Sequence, residues 1–348
     1  MFDYQRHLIS SKSLIQDALK KLNELAPYSV LFLVDQNSKL LGSLTDGDVR
    51  RALIQGKSLS HDINDICNKT PKFLQEFNYT TQDVKEFRDN GLKVIPIINL
   101  EGQITGVVNL DKQRSIIPVD AIIMAGGRGE RLKPLTNDTP KPLLMVGKKP
   151  IIDYNFERLV SYGVANFYLT LRYLAPKIKR HFDQKKLDGI NLQYIEEQEP
   201  LGTIGAVSAI NNFRNDHIIV TNSDILTEID YESFYLNHLK MAADVSVASI
   251  PYTVKIPYAV LESHGHEVKS FVEKPSYTYY SNGGIYIFRR SILDKIPKQK
   301  AFNATDLMEE VLKDGGKIIS FPLKEYWLDI GKHDDYIRAQ EDIKGLDL

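Results

Sequence analysis

Residues Ile122 to Ile151 read IIMAGGRGERLKPLTNDTPKPLLMVGKKPI. The run begins as an apolar strand, breaks at Gly126, Gly127 and Gly129, and continues through the spaced cations Arg128, Arg131 and Lys141. Glycines let backbone N–H groups approach a phosphate chain because no Cβ stands in the way. Two familiar owners of such a loop fail on spacing. A dinucleotide-binding fingerprint needs a third glycine where Leu132 stands, and a P-loop needs a glycine at Pro142 and Ser or Thr at Lys149.

The run resembles the signature loop of the sugar-1-phosphate nucleotidyltransferases, G-G-x-G-x-R-L-x-P-L-T followed by P-K-P-L, at every position. The resemblance implies a nucleoside triphosphate held by Ala125, Gly126, Gly127 and Gly129, with Arg131 and Lys141 on its phosphates. Downstream of it, strand candidates (Ala121–Met124, Phe167–Leu171, Leu192–Ile195, Ile218–Val220) alternate with helical ones (Asp153–Tyr162, Thr203–Phe213). That alternation indicates an α/β domain with a mainly parallel sheet, whose ligands gather at the carboxyl ends of the strands. Later stretches (Val245–Ile250, Tyr258–Leu261, Gly284–Phe288) have more strand character, as a mixed subregion would.

Asp224 follows the strand HIIVTNS, and Asp329 lies in EYWLDIGKHDDY. Mg²⁺ prefers one or two carboxylates plus phosphate oxygens, which two aspartates brought together would satisfy. By resemblance, N-S-D and W-x-D-x-G are the family's metal-binding segments. The same resemblance assigns the sugar side: Glu273 to hydroxyls, Lys274 to the sugar phosphate, and Asn282 and the Tyr258-Ala259-Val260 segment to the sugar pocket. Ala259 departs from the family's usual glycine. In EEQEPLGTIGAV, which addresses the base, Gly202 and the helix start after it offer backbone donors, and Glu197 stands where uracil- or thymine-selecting relatives have glutamine. A carboxylate only accepts hydrogen bonds, which suits the guanine N1–H and N2–H₂ or the cytosine amino group.

Upstream, an offset of 64 residues lays SVLFLVDQNSKLLGSLTDGDVRR (Ser29 to Arg51) over KVIPIINLEGQITGVVNLDKQR (Lys93 to Arg114) without a gap. Amphipathic segments, LIQDALKKLNEL and TQDVKEFRDN, precede both. The pair resembles a tandem CBS (β-β-α) module, which often binds nucleotides. By that resemblance Thr45 and Asp48 would hold a ribose, while Asn109 and Lys112 at the matching positions would not. A plainer reading has Thr45 in a turn and Asp48 capping a helix over Val49–Ile54. QRSIIP, from Gln113, is a short linker.

The expected organisation is therefore a tandem CBS regulatory module over residues 1–115 and a Rossmann-like nucleotidyltransferase domain over 119–348. Such a domain pair resembles the glucosamine-1-phosphate guanylyltransferases of bacterial legionaminic acid biosynthesis. The expected activity is Mg²⁺-dependent transfer of GMP from GTP to a sugar 1-phosphate, best glucosamine 1-phosphate. Mannose- or heptose-1-phosphate guanylyltransferase, use of UTP, dTTP or CTP, and a non-catalytic sensor subunit are the alternatives. A regulatory purine nucleotide and a homo-oligomer are expected partners.

The net charge of −1 and charged fraction of 26% give no global field for nucleic acid or membrane. The single cysteine, Cys67, rules out an internal disulfide framework and fits a reducing compartment. MFDYQRHLIS lacks the apolar core of a leader, and no stretch reaches the length of a membrane span, so a cytoplasmic protein is expected. His264 and His266 flank a glycine as at an exposed hairpin tip, and His333 reads as a surface residue.

Overall fold

The sequence repeat is a structural repeat. In the computed structural model, which describes residues 4–76, 78–187 and 189–346, each half of the repeat builds the same three-stranded sheet. The first three residues of MFDYQRHLIS lie outside the described residues. The first half has β1 (Leu8–Ser10), α1 (Ile15–Glu24), β2 (Val30–Val34), β3 (Leu40–Thr45) and α2 (Asp46–Ile54). The second has β4 (Leu74–Gln75), α3 (Thr81–Asp89), β5 (Val94–Ile98) and β6 (Ile104–Asn109). The register repeats as well: Val30 pairs with Thr45 as Val94 pairs with Asn109, and each hairpin slips at the same place, Leu33/Val34 and Ile97/Ile98.

The two halves meet about a local two-fold axis. Lys39 bridges Gln103, its own equivalent, and the flanking bonds are reciprocal: Leu40 N–H donates to Gly102 O, and Ile104 N–H to Ser38 O, both at 3.0 Å. Leu8, Phe32, Val94, Ile98 and Val107 form one buried cluster drawn from both halves. A three-stranded sheet with one apolar face cannot bury that face alone, which is the physical reason the unit comes as a pair.

Two compact units divide the chain: residues 1–120 with 157–167 and 180–193, and residues 121–156 with 168–179 and 194–348. The second repeat runs into the segment Arg114 to Ile117, whose N–H groups at 114 and 117 bond Ser161 O (2.6 Å) and Tyr162 O (2.9 Å) within the first unit.

The central sheet is built from β7 (Asp120–Ala125), β10 (Asn166–Leu171), β11 (Asn191–Glu196), β12 (His217–Asn222), β14 (Val245–Lys255), β17 (Ser276–Arg289) and β18 (Ile318–Pro322). β8 (Met145–Val146) and β9 (Lys149–Pro150) form a small hairpin. Two further pairs are β13 (Ile225–Thr227) with β19 (Trp327–Asp329), and β15 (Val260–His264) with β16 (Glu267–Val272). Helices α4 (Ile151–Ser161), α5 (Ala175–Asp183), α6 (Tyr231–Lys240), α7 (Arg290–Leu293), α8 (Ala304–Lys313) and α9 (His333–Asp342) complete the chain.

The sheet order is β11-β10-β7-β12-β17-β14-β18. It is mixed and mostly parallel, with β17 antiparallel to both its neighbours. Ile122, Tyr168, Val220, Val245, Phe288 and Leu307 form its buried core. The doubly buried strands carry continuous apolar runs for this reason.

One expectation fails. Thr203–Phe213 is not an α-helix; only a 3₁₀ turn forms, at Gly205–Ala209. The backbone there is spent on a remote segment: Phe302 N–H donates to Leu201 O at 2.9 Å and Ile204 N–H to Phe302 O at 3.1 Å. Those bonds tie Leu201 and Ile204 to residue 302, and beyond them Val207 N–H donates to Ile204 O (2.9 Å) and Ile210 N–H to Val207 O (3.0 Å), the three-residue spacing of a 3₁₀ turn. The first repeat also differs in detail. α2 begins at Asp46 with Thr45 as its N-cap, and Asp48 is the reciprocal partner in the capping box.

Candidate active site

Main-chain bonds align the carboxyl ends of four strands. Glu197 N–H donates to Leu171 O (2.9 Å), Tyr173 N–H to Gly126 O (3.4 Å) and Ser223 N–H to Met124 O (3.2 Å). The residues that leave β11, β10, β7 and β12 therefore emerge at one edge. There they line a cleft of about 310 Å³ whose walls include Gly126, Gly127, Lys141, Arg172, Glu197, Gly202, Asn222 and Asp224.

The glycine loop turns tightly. Gly129 holds φ +63°, and a Cβ there would stand 2.9 Å from Thr136 Cγ2 and 3.1 Å from Lys141 Cβ. Thr136 Oγ1 donates to Gly129 O at 2.9 Å and closes the turn. That closure sets Lys141 against the loop. Gly202, at φ +73°, lets the facing wall pass Phe302 O, which a Cβ would approach to 2.7 Å.

Asp224 and Asp329 are brought together by a strand pairing that no local pattern announces. β13 and β19 run antiparallel with Ile225 opposite Asp329, and Ile330 N–H donates to Asp224 O at 3.0 Å. The buried Asn155 of α4 donates from Nδ2 to Ile225 O at 2.8 Å and to Ser223 O at 3.4 Å, bracketing the turn that carries Asp224. Lys141 Nζ is ion-paired with Asp224 Oδ2 and lies 3.7 Å from Asp329 Oδ1. Lys141 and Asp224 keep only 13% and 17% side-chain exposure.

Burial raises the Asp329 carboxyl above its ordinary pKa, and the nearby Asp224 charge adds to the rise; Lys141 and Arg131 oppose it. Asp329 Oδ1 is shut off from solvent and has no hydrogen-bond partner among the described residues, although the side chain as a whole keeps 38% exposure. Two adjacent carboxylates with an unsatisfied buried oxygen fit a hard divalent cation that completes its shell from water and phosphate. Among the described residues no group of three or more His, Cys, Asp or Glu forms an all-protein metal cage. Arg131 belongs to the same corner: a Cβ on Gly331 would lie 3.4 Å from both Arg131 Nη2 and Asp329 Oδ2.

Glu197 enters the opposite wall. Its Oε2 accepts from Leu201 N–H at 3.2 Å, and Oε1 would be 3.2 Å from a Cβ on Gly126. Burial raises its pKa, against the Leu201 hydrogen bond and the Arg172 charge. Arg172 escaped the sequence reading. The signal was its place directly after strand β10, at the edge where ligands gather.

The sugar-side residues fall into two groups. Asn282 donates to Tyr286 OH at 2.8 Å and accepts from Gly284 N–H at 2.9 Å. This segment reaches the cleft wall, since a Cβ on Gly284 would meet Asn222 Nδ2 at 2.6 Å. Glu273, Lys274, Tyr258 and Ala259 do not line the cleft; they sit exposed on the β14–β17 ribbon and its terminal hairpin. His264 and His266 lie at the exposed hairpin tip as expected, and His333 Nε2 is 2.8 Å from Lys133 O.

Thr45 and Asp48 lie in the first unit. Thr45 N–H and Oγ1 donate to Asp48 Oδ2 at 2.8 and 2.6 Å, Asp48 N–H donates to Thr45 Oγ1 at 3.3 Å, and Arg51 pairs with Asp48 Oδ1. Both side chains are occupied in capping α2.

Residues 120–345 match the nucleotidyl transferase family and residues 8–55 match the CBS domain. A putative mannose-1-phosphate guanyltransferase of Sulfolobus acidocaldarius is 34% identical over 66% of this chain and 64% of its own length. A D-glycero-α-D-manno-heptose 1-phosphate guanylyltransferase of Aneurinibacillus thermoaerophilus is 30% identical over 65% of this chain and 99% of its length. The chain thus spans less than two thirds of the first relative and nearly all of the second. HddC from Yersinia pseudotuberculosis, solved alone and complexed with GMP-PN, superposes with a TM-score of 0.51 at 32% identity, over 65% of this chain and 99% of its own. With a glycine loop, Lys141 and two carboxylates at one sheet edge inside the matched region, the chain belongs to the nucleotidyl transferase family.

Proposed function

We propose that this chain transfers a nucleoside monophosphate, GMP from GTP, to a sugar 1-phosphate with release of pyrophosphate. The observation that carries the reading is the convergence of Gly126, Gly127, Lys141 and Asp224 on one cleft, with Asp329 3.7 Å from Lys141. A phosphate oxygen of the sugar 1-phosphate attacks the α-phosphorus in line; the new P–O bond forms as the bond to the β-phosphate oxygen breaks. Gly126, Gly127 and Gly129 cradle the triphosphate, and Lys141 and Arg131 neutralise charge that accumulates on its oxygens. Asp224 and Asp329 would hold Mg²⁺, which when bound aligns and neutralises the phosphate oxygens. Lys274 would meet the sugar phosphate, and Glu273, Asn282 and the Tyr258-Ala259 segment the sugar. No protein nucleophile is needed.

Glu197 supports guanine, because a carboxylate accepts from N1–H and N2–H₂ and repels the O4 carbonyl of uracil or thymine. The relatives named as guanylyltransferases, and HddC complexed with GMP-PN, point the same way. Their names favour mannose or a manno-heptose as the sugar. Glucosamine 1-phosphate, which the resemblance of the domain pair implies, is the second reading; the names of the relatives do not support it. Regulation by a purine nucleotide at the CBS module, a homo-oligomer and a cytoplasmic setting belong to the same proposal. No helix among the described residues is long and apolar enough to cross a membrane.

The test is pyrophosphate release over a grid of GTP, UTP, dTTP, CTP and ATP against mannose, manno-heptose, glucosamine and glucose 1-phosphates. Turnover confined to GTP with one of the first three sugars supports the reading. Silence across the grid would favour a sensor subunit instead.

A further inference from the structure

Four charged side chains line the cleft: Lys141, Arg172, Glu197 and Asp224. Lys141 and Asp224 are paired with each other. Arg172 is not so engaged. It is partly buried, and its guanidinium has no hydrogen bond or ion pair among the described residues. A cation withdrawn from water without a partner is costly, so a partner supplied by a ligand accounts for its place.

Arg172 and Glu197 stand beside the same bare Cα. A Cβ on Gly126 would lie 3.2 Å from Glu197 Oε1, 3.6 Å from Arg172 Cβ and 3.7 Å from Arg172 N. The glycine thus keeps clear the space that the two residues share. The charges are near enough for Arg172 to oppose the burial that raises the Glu197 pKa, yet they form no ion pair with each other. A group of donors and a group of acceptors therefore face one cleft side by side and unjoined.

The occupant must offer an acceptor to Arg172 and donors to Glu197. A phosphate there would bring its charge against the Glu197 carboxylate, so the acceptor is a neutral oxygen on a ring that also carries N–H groups. Guanine presents O6 next to N1–H and N2–H₂, one acceptor and two donors along one edge. Adenine and cytosine present a single amino group there, and uracil flanks its one N–H with carbonyls. An arginine fork donating to guanine O6 is a recurrent base contact in nucleic-acid complexes.

We infer that Arg172 is a second determinant of base choice, donating to guanine O6 while Glu197 accepts from N1–H and N2–H₂. The inference rests on the guanylyl transfer proposed above and adds to it the residue that reads the oxygen.

Equilibrium binding of nucleotides to the full-length chain, with Mg²⁺ and without sugar phosphate, tests it. The probes are GTP, ITP, which keeps O6 and lacks N2–H₂, and 2-aminopurine riboside triphosphate, which lacks O6. Arg172→Met keeps the apolar stem and removes the donors. It should weaken GTP and ITP alike by about 10–100-fold and the 2-aminopurine nucleotide by less than about threefold. Equal weakening of all three would place Arg172 on the phosphates or ribose and overturn the inference, as would no weakening at all. Arg172→Lys keeps the charge without the planar fork and decides by the same comparison if the Met variant fails to fold.

Failure of the parent reading looks different. A wild type that binds GTP no tighter than ATP or UTP removes guanine selection, and the inference falls with it. A wild type that prefers GTP but releases no pyrophosphate refutes the transfer alone, and the Arg172 comparison still decides the inference.

Discussion

The carbonyl of Asp224 accepts a hydrogen bond from the Ile330 N–H at 3.0 Å. With the β13–β19 pairing, that main-chain contact locks the turn after β12 to the end of β19, and so makes neighbours of two carboxylates far apart in the sequence. Lys141 sits between them, paired with Asp224 and 3.7 Å from Asp329.

Asp224→Asn and Asp329→Asn should each lower kcat by about 10²–10³, the range for removing one group that meets transition-state charge. Chelation with EDTA should abolish turnover in the wild type and excess Mg²⁺ restore it. Pyrophosphate release measures both. Activity within about threefold of wild type in either variant would remove the carboxylate pair from the reaction.

Gly129 and Gly127 should separate folding from binding. Gly129→Ala must hold φ +63° and clash with Thr136, so the melting temperature should fall, by an amount equivalent to about 1–3 kcal/mol. At Gly127 an added Cβ would meet nothing within 4 Å, so Gly127→Ala should melt as wild type does while its KM for the triphosphate rises. Thermal unfolding beside steady-state kinetics reads both effects, and equal melting temperatures for the two variants would count against the tight turn.

Burial raises the pKa of Glu197, so ionising it opposes folding. The sign follows from linkage: the stabilising preference for the protonated form is present below the unfolded pKa and lost as pH rises through the raised folded one. Glu197→Gln should therefore melt higher than wild type at pH 7, with the gap closing as pH falls toward the carboxylate range. Guanine recognition needs the ionised form, so GTP affinity should weaken over the same acid range. The Gln variant should also shift the GTP-to-UTP preference by about 10–100-fold toward UTP, the cost of one mismatched buried hydrogen bond. An unchanged nucleotide ratio would separate Glu197 from the base.

His238 is buried, with Nδ1 2.6 Å from Ser246 Oγ and Nε2 3.1 Å from His217 Nδ1. Burial, helped by the His217 charge, lowers its pKa to about 4. Its folded form resists protonation, so its stabilising contribution is whole above the unfolded pKa of 6.5 and drains away as pH falls toward 4. His238→Gln should flatten the loss of melting temperature between pH 6.5 and 4, while turnover at slightly alkaline pH stays near wild type. A variant with the wild-type acid slope would assign that slope elsewhere.

Thr45→Ala should destabilise the first unit by about 1 kcal/mol through loss of the α2 cap. A purine nucleotide that uses Thr45 and Asp48 must share hydroxyl and carboxylate with this capping box. AMP, ATP, GMP and GTP should then raise the melting temperature of wild type and fail to raise that of Asp48→Ala. Equal shifts in both proteins would move the nucleotide to another site.

The glycine loop was readable because its chemistry is local. Backbone donors, Thr136 and Lys141 lie within one short segment, and glycine spacing alone separates it from the dinucleotide and P-loop turns. The tandem repeat was readable for a related reason: each half must bury the other's apolar face, so the pattern is written twice at one offset. Asp224 and Asp329 were found only through motif resemblance, since nothing nearby in sequence predicts the β13–β19 register. Arg172 was missed because a single arginine after a strand carries no pattern. The supposed helix over 203–213 gives way to a 3₁₀ turn, in which Ile204 O and Val207 O accept from the N–H groups three residues on and Ile210 is already extended, and nothing in the local residue pattern marks that change.

By itself, then, the sequence determined the α/β and repeat architecture and the phosphate loop, because periodicity and glycine geometry act over a few residues. Only the tertiary structure decided which carboxylates share Lys141, which glutamate is half-buried in the cleft wall, and that Glu273 and Lys274 are exposed and outside the cleft lining. Those relations depend on long-range strand register and on burial, and neither is encoded in any one stretch of the chain.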